Sequence, residues 1–219
     1  GIVALTIGGY LQEVVRRHAG CEALVMRLPS GERVSWTYDA LAERALTVAK
    51  ALIAAGSGKG ARVGVLMANR PELVSSLFGI ALAGGITESL STFSTASELA
   101  HVLQASEVSI LLFDRRVLKT DFGALLAELE PQLRSCAPGQ LQSTRFPFLR
   151  RLVALDSVTD ADPRRDDARA VERWSSFLEH GASIAADVVQ ARAQRIQPAD
   201  PGGLFFSSGT TSVPKGIVH

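Results

Sequence analysis

The sequence predicts an α/β fold: parallel β-α-β layers covered by helices, with a β-hairpin near the start of the chain. Short apolar runs alternate with helical patterns of about 10–15 residues, which is typical of parallel β-α-β units. Two apolar runs at 23–27 and 33–37 flank a Pro/Gly turn at 29–32, and this arrangement indicates the hairpin. With 219 residues, the chain is long enough for a large core, or for one domain and part of another.

Composition excludes several classes of protein. The chain is 47% hydrophobic and 21% charged, and its formal net charge is +1. This balance gives no electrostatic footprint for nucleic acid, so we expect no nucleic-acid partner. Cys21 and Cys136 are too few for a disulfide framework or a zinc site. The longest apolar stretch, around 77–86, is shorter than the ~20 residues of a transmembrane helix, and no secretory signal begins the chain. We therefore expect a cytoplasmic protein.

Two helices and the hairpin between them account for the start of the chain. The first helix is expected over about 10–18. The second begins after Thr37, whose hydroxyl can cap it, and ends at Gly56. Its apolar positions recur at helical spacing. These positions are Leu41, Ala45, Val48 and Leu52.

A strand and a capped helix follow. The apolar run at 62–67 predicts a buried strand. Asn69, with Glu72 three residues later, predicts the cap of a helix that runs to about Ala83. The glycine pair at 84–85 then ends this helix.

The next β-α-β unit has the same pattern. A strand is expected to begin near Ile86, and Thr95 and Glu98 form a capping box for a helix to about Ala105. The apolar run at 109–113 is the following strand.

The pattern loosens after Asp114. The expected elements are a helix over about 121–133, a strand at 152–155, an exposed Asp/Arg-rich loop at 160–169, helices at 171–179 and 184–195, a break at 197–202 and a final strand at 203–207.

The final strand leads into a loop whose composition suits phosphate. From Phe206 to Gly216 the sequence reads F-S-S-G-T-T-S-V-P-K-G. Gly209 lets the backbone approach an anion, and neighbouring N–H and O–H groups can donate to phosphate oxygens. Lys215 adds a mobile positive charge, and Pro214 stiffens the turn before it. The alternative is an ordinary polar hairpin loop, but so ordered a run directly after an apolar strand favours phosphate binding.

The loop differs from two better-known loops. A Walker loop needs adjacent glycine and lysine followed by Ser or Thr, whereas Pro214 precedes Lys215 and Gly216 follows it. A nucleophile elbow needs Gly-x-Ser-x-Gly, and neither Ser207 nor Ser208 has glycines at both places. Phosphotransfer to a small molecule would need an acidic metal-binding residue and a base from another motif set, which the sequence lacks.

The remaining candidates are expected to be structural. The histidines on predicted helices have no metal-like spacing, and the tryptophans are expected to pack rather than to bind substrate. Asp200 is expected to end a helix or to form a turn. These histidines and tryptophans are His18, His101, His180, Trp36 and Trp174.

The loop closely resembles the phosphate-binding signature of the adenylate-forming (ANL) superfamily, roughly Tyr/Phe-Thr/Ser-Ser-Gly-Ser/Thr-Thr-Gly-x-Pro-Lys-Gly. This superfamily includes acyl-CoA synthetases, peptide-synthetase adenylation domains and luciferases. Ser212 stands where the family usually has glycine. The likeness extends upstream to 36–41 and to the helix at 77–85. The segment 90–98 looks more like acyl-CoA synthetases, although Thr-Glu-Ser-Leu at 87–90 replaces the family's frequent proline and aliphatic residue.

The resemblance implies an AMP-forming acid–thiol ligase. Such an enzyme activates a carboxylic acid, fatty or other acyl, with ATP to an acyl-adenylate, and then forms an acyl-CoA thioester. ATP and Mg²⁺ are the implied cofactors, and coenzyme A is the implied co-substrate. The implied cofactor-binding residues are Ser207, Ser208, Gly209, Thr210, Thr211, Ser212, Lys215 and Gly216, with Thr211 also as a metal contact.

The resemblance also implies a longer polypeptide. The family's adenine pocket, ribose-binding acid, hinge and adenylation lysine are expected beyond residue 219, so no catalytic residue is assigned. We expect 1–219 to be the incomplete N-terminal part of an acetyl-CoA synthetase-like large domain and to be inactive alone. Its first β-α-β subdomain would span 1–115, and the start of the second would span 116–219. A competing hypothesis is a non-catalytic module that binds a nucleotide or a partner protein through the loop.

Overall fold

The computed structural model describes residues 5–27, 31–155, 168–207 and 215–218. The helices are α1 (Ile7–His18), α2 (Tyr38–Ala54), α3 (Pro71–Ala83), α4 (Ala96–Ala105), α5 (Phe122–Leu129), α6 (Trp174–Glu179) and α7 (Ala186–Gln194), with short 3₁₀ helices at Pro131–Arg134 and His180–Ser183. The strands are β1 (Glu22–Arg27), β2 (Arg33–Thr37), β3 (Arg62–Leu66), β4 (Ile86–Ser89), β5 (Val108–Asp114), β6 (Arg116–Val117), β7 (Thr120–Asp121), β8 (Arg151–Leu155), β9 (Val171–Arg173), β10 (Gly203–Ser207) and β11 (Lys215–Val218). Across these described ranges, no helix is both long and apolar enough to cross a membrane.

The chain divides into two compact units, and each unit combines separate segments. The first unit contains 1–60, 69–86 and 180–202, and the second contains 61–68, 87–179 and 203–219. The subdomain division predicted at residues 115 and 116 stays a prediction.

The first unit consists of helices α1, α2, α3 and α7 together with the antiparallel hairpin of β1 and β2. Helices α2 and α3 pack very closely at Gly79. A Cβ atom at this position would lie 2.7 Å from the Val48 side chain and 2.9 Å from the Ala45 carbonyl oxygen. Because only glycine fits such an approach, Gly79 sets the spacing of the two helices.

The second unit is built on a seven-stranded sheet with the order β11-β10-β4-β3-β5-β8-β9. Six strands are parallel, and β11 pairs antiparallel with β10 at one edge. Its apolar core includes residues from β5, α4 and α5. The largest fully buried side chains of this core include Leu111, Phe113, Phe122 and Phe146. The predicted α/β fold with its early hairpin is therefore confirmed.

Several predicted helix ends are also confirmed. The Thr37 hydroxyl accepts a hydrogen bond from the Ala40 N–H at 3.3 Å and caps α2. Thr95 and Glu98 form the complete capping box of α4. Gly84 adopts the left-handed conformation, with φ 84°, directly after α3. A left-handed residue ends a helix at low cost when it is glycine, so the sequence signal had a direct physical basis.

The predicted cap at Asn69 is wrong. Helix α3 begins at Pro71, and its N-cap is Arg70, whose side chain makes no capping hydrogen bond. A residue before proline is driven out of the helical region, and Arg70 accordingly has φ −152° and ψ 160°. Proline suits the first helical position, so Pro71 determined the start of this helix.

The predicted helix over 171–179 is wrong in its first three residues. These residues form β9, which pairs parallel with β8, and α6 begins only at Trp174. Glu172 is 7% exposed and forms an ion pair with Arg151 of β8. The neighbouring strand and this ion pair favour an extended backbone, and neither partner is visible in the local sequence pattern.

Two further helices are shorter than predicted. The helix expected over 121–133 ends at Leu129 and is followed by a 3₁₀ helix that begins at Pro131, because proline interrupts the helical hydrogen bonds. The helix expected over 184–195 occupies Ala186–Gln194. Most of the predicted loop at 160–169 lies outside the described residues, as does part of the hairpin turn.

Candidate phosphate-binding site

Strand β10 carries the candidate site toward one end of the sheet. It pairs parallel with β4 at Gly203, Leu204 and Phe205, and Leu204 is buried. The predicted strand at 203–207 is confirmed. Since parallel strands end at the same edge of a sheet, the chain leaves β10 at the edge where β3, β5 and β8 also end. Ligands of open α/β sheets bind outside this carboxyl edge.

Strand β11 returns antiparallel to β10 and closes the loop. The register places Ser207 opposite Lys215 and Phe206 opposite Gly216. Residues 208–214 connect these paired positions. The sheet thus holds both ends of the connection, and two predicted site residues share one paired position at its base.

The predicted site residues fall into two groups. Ser207, Lys215 and Gly216 belong to the two paired strands. The other predicted residues lie outside the described part of the chain, so their roles as phosphate or metal contacts stay predictions. They are Ser208, Gly209, Thr210, Thr211 and Ser212.

A buried carboxylate that the sequence pattern did not predict lies at the carboxyl edge of the sheet. Asp114 ends β5, is 5% exposed and accepts a hydrogen bond from the Ala68 N–H at 2.8 Å. It therefore fixes the start of the connection that follows β3. The only sequence signal was its position at the end of an apolar run, where a polar side chain marks the carboxyl end of a buried strand.

A second buried carboxylate lies on β4. Glu88 is 0% exposed, and its cross-strand partner on β10 is Leu204. Burial raises the pKa of Glu88 to about 7, because the charged form loses its hydration. The only signal of this position in the sequence is the departure of residues 87–90 from the family pattern.

The remaining candidates are Asp200, the two tryptophans and the residue types that bind metals. Among the described residues, no group of three or more His, Cys, Asp or Glu side chains could hold a metal ion. Asp200 forms the expected turn: its carboxylate accepts from the Gln197 N–H at 2.7 Å and pairs with Lys59 at 2.6 Å. The Lys59 contact lowers the pKa of Asp200. The two tryptophans contact Arg44 and Phe177 respectively.

The first unit contains an open apolar cavity of about 440 Å³ among α1, α2, α3 and α7. Leu11, Val15, Leu46, Leu82 and Val189 line it. Gln12, Arg16 and Gln190 also line it, and Arg16 forms an ion pair with Glu13 at 2.7 Å. The lining is mainly apolar, which suits packing more than phosphate binding.

The sequence matches the family model described as AMP-binding enzyme over residues 11–219. The chain belongs to the AMP-binding enzyme family. This result confirms the resemblance that the terminal loop indicated.

Curated relatives carry names of the same kind. The chain is 24% identical over 217 residues to "Putative acyl-CoA synthetase YngI" of Bacillus subtilis (strain 168), covering 99% of this chain and 38% of the relative. It is 29% identical over 211 residues to "Medium-chain acyl-CoA ligase ACSF2, mitochondrial" of Homo sapiens, covering 96% of this chain and 32% of the relative. The chain thus spans about a third of the length of these relatives.

Solved structures share the fold. Acetoacetyl-CoA synthetase from Streptomyces lividans superposes with a TM-score of 0.71 at 20% identity, covering 97% of this chain and 30% of that one. The N-terminal domain of FACL13 from Mycobacterium tuberculosis gives a TM-score of 0.62 at 23% identity, covering 98% and 43%. These likenesses confirm the predicted α/β fold, and the chain covers only 30% and 43% of the two solved chains.

Proposed function

We propose that this chain supplies the pyrophosphate-binding loop of an AMP-forming acid–thiol ligase. Such a ligase activates a carboxylic acid with ATP to an acyl-adenylate and then transfers the acyl group to coenzyme A. The main support is the β10–β11 hairpin, in which Ser207 and Lys215 pair at the carboxyl end of a parallel strand and flank the family-type loop sequence at 208–214. Membership of the AMP-binding family and the names of the curated relatives support the same reaction class.

The proposed role of the loop follows from the charge that moves during adenylation. A substrate carboxylate oxygen attacks the α-phosphorus of ATP, the bond to the bridging oxygen breaks, and pyrophosphate leaves with the bonding electrons. Donors placed around the β- and γ-phosphates stabilise the charge that develops on this leaving group. The N–H and O–H groups of 207–212 and Gly216 would hold these phosphates, and Lys215 would neutralise them.

Mg²⁺ is the metal that suits this site. It prefers oxygen ligands and phosphates, and Thr211 is the proposed protein contact. When bound, the ion would supply positive charge to the phosphate oxygens of the leaving group.

The finer assignments belong to the same proposal. The acyl substrate would be a fatty or other carboxylic acid, and the remainder of the polypeptide would supply the adenine pocket and the adenylation lysine. Subdomains would divide at residues 115 and 116. A cytoplasmic location also stays a prediction, and one relative is named as mitochondrial.

Binding of MgATP to this chain, measured by titration calorimetry, tests the proposed loop. Lys215→Ala removes a charge-assisted contact, so its affinity should be about 10- to 100-fold weaker than wild type. Lys119→Ala is the matched control, because Lys119 is an exposed lysine in the short connection between β6 and β7 and should leave affinity unchanged. Equal losses in both variants, or no loss in Lys215→Ala, would contradict the assignment.

A second measurement separates the ligase from a non-catalytic binding module. ATP–pyrophosphate exchange should be absent with residues 1–219, because the expected adenylation lysine is not among them. Robust exchange by residues 1–219 would contradict the proposal that adenylation needs a lysine from the remainder of the polypeptide. If a longer polypeptide carrying the downstream motifs bound MgATP but supported no exchange with any carboxylic acid, the binding module would be favoured.

A further inference from the structure

Glu88 is an uncompensated carboxyl group inside the sheet of the second unit. It is 0% exposed, and neither of its carboxylate oxygens has a hydrogen-bond partner among the described residues. The Ser106 hydroxyl, which follows α4, faces the carboxyl and favours its ionised form, yet it too lacks a partner within the described part of the chain. A buried carboxylate without hydrogen bonds is costly to ionise.

The charged groups around Glu88 do not neutralise it. Arg62, at the start of β3, favours ionisation, but its guanidinium lies 3.6 Å from the Glu107 carboxylate. Glu107 itself opposes ionisation through like-charge repulsion. The Glu107 and Arg62 side chains are 57% and 30% exposed, so water screens both groups more than it screens Glu88. The neutral carboxyl is therefore the form that the folded sheet accommodates.

The pairing of β10 with β4 is shorter than two pairings deeper in the sheet. On one side, β10 pairs with β4 at only three positions, and Leu204 lies directly opposite Glu88. Toward the other edge, β3 pairs with β5 and β5 pairs with β8 at five positions each. Separation of β10 from β4 would expose Glu88 to water and would break fewer strand-pairing hydrogen bonds than separation of β3 from β5 or of β5 from β8.

We infer that Glu88 acts as a pH-sensitive switch for the pairing of β10 with β4. The protonated carboxyl keeps β10 docked, and the ionised carboxylate favours an opened β10 in which water can reach the charge. Because β10 leads into the loop at 208–214, opening would move the base of that loop. The consequence for nucleotide binding rests on the function proposed above, whereas the strand opening itself does not.

Hydrogen exchange of backbone amides, measured without nucleotide and corrected for intrinsic exchange at each pH, tests the switch. Between about pH 5.5 and pH 8.5, protection factors of β10 amides should fall at least about tenfold, while those of β5 should stay within about twofold. A failure of the proposed function would leave this result unchanged, since no ATP is present.

Two variants make the test specific. Glu88→Gln keeps the shape of the side chain but cannot ionise, so the pH dependence in β10 should disappear. Glu107→Gln makes the same chemical change at an exposed carboxylate, and the pH-dependent fall in β10 protection should persist in this variant. Its midpoint should move to lower pH, because a like charge near Glu88 is removed.

Three results would overturn the inference. The first is β10 protection that does not change with pH in the wild type. The second is an equal loss of protection in β5 and β10, which would indicate global destabilisation. The third is an unchanged pH dependence in Glu88→Gln. Circular dichroism will show whether Glu88→Gln folds. If it does not, the midpoint of the β10 pH dependence in Glu107→Gln still tests the switch. A midpoint that moved to higher pH, or did not move, would contradict it.

Discussion

Strands β4 and β5 belong to the same parallel sheet but are stabilised in different ways. All but one of the seven residues of β5 are buried, and its apolar side chains include Leu111 and Phe113, which are completely inaccessible. β4 has only four residues, and three of them are Thr87, Glu88 and Ser89. Apolar packing therefore stabilises the half of the sheet around β5, whereas the half that carries the candidate loop contains a buried carboxyl group, Glu88, that fits the folded sheet best in its neutral form.

The half of the sheet with the shorter strand pairing and the buried carboxyl group is the one that carries the candidate ligand-binding loop. A site that binds and releases ligands benefits from an element that opens at low cost, while the scaffold behind it stays folded. The following four variants test the contrast, from the largest expected effect to the smallest.

Phe113→Ala should have the largest effect. Phe113 is 0% exposed in the core of the second unit, and its truncation should lower the free energy of unfolding by about 3–5 kcal/mol. Urea denaturation followed by circular dichroism measures this change. Phe93→Ala is the matched control, because Phe93 is 85% exposed, and its effect should stay within about 0.5 kcal/mol. Similar losses in both variants would contradict the described core.

Glu88→Val should stabilise the protein in a pH-dependent way. The pKa of Glu88 rises from an ordinary 4.5 to about 7 on folding, so the folded state binds more protons between these values. The contribution of Glu88 to stability is therefore greatest below about pH 4.5, falls as the pH rises toward 7 and then levels off.

The rise in pKa from 4.5 to about 7 corresponds to about 3 kcal/mol of stability that is lost between low and high pH. Glu88→Val should remove this loss, because valine cannot ionise. Urea midpoints at about pH 5 and pH 8.5 measure the effect, and the gain over wild type should be larger at the higher pH. A gain independent of pH would indicate that packing, rather than ionisation, is responsible.

Glu172→Gln tests the edge of the sheet beyond β5. It removes the negative charge that pairs with Arg151, and since the Arg151 side chain is only 20% exposed, the free energy of unfolding should fall by about 1–3 kcal/mol. Glu22→Gln makes the same change in the exposed pair with Arg33, where the side chains are 51% and 47% exposed, and should cost less than about 1 kcal/mol. Thermal denaturation compares the two variants. A larger loss in the exposed pair would refute this ranking.

Thr95→Ala should have the smallest effect of the four. Thr95 caps α4, the helix between β4 and β5, and loss of the cap should cost about 1 kcal/mol. Thr47→Ala is the control, because the Thr47 hydroxyl only donates to the Glu43 carbonyl within α2, at 2.9 Å. Its cost should be near zero in the same denaturation measurement. A Thr47 variant as destabilised as the Thr95 variant would argue against a specific role of the cap.

Local chemistry predicted much of the fold. Apolar runs identified β3 and β5, and helix ends were predicted where one residue decides the backbone, as at Thr37, Thr95 and Gly84. These signals act over a few residues, so they can be read from the sequence. The alternation of strands and helices then gave the parallel sheet.

Features that depend on distant partners were not predicted. β9 became extended because it pairs with β8 and because Glu172 meets Arg151. The burial of Glu88 and the Asp114 bond to Ala68 likewise depend on neighbours that the sheet brings together. For the candidate site, the motif identified the loop and its family, while the register that places Ser207 opposite Lys215 required the structure.

Competition between phosphate ligands tests the central claim most directly. If the loop holds the leaving group of adenylation, pyrophosphate with Mg²⁺ should displace ATP from this chain, whereas AMP at the same concentration should displace little, because AMP lacks the β- and γ-phosphates. Calorimetric titration of MgATP in the presence of each competitor measures both effects. AMP that competed as effectively as pyrophosphate would contradict the assignment of the loop as a pyrophosphate site.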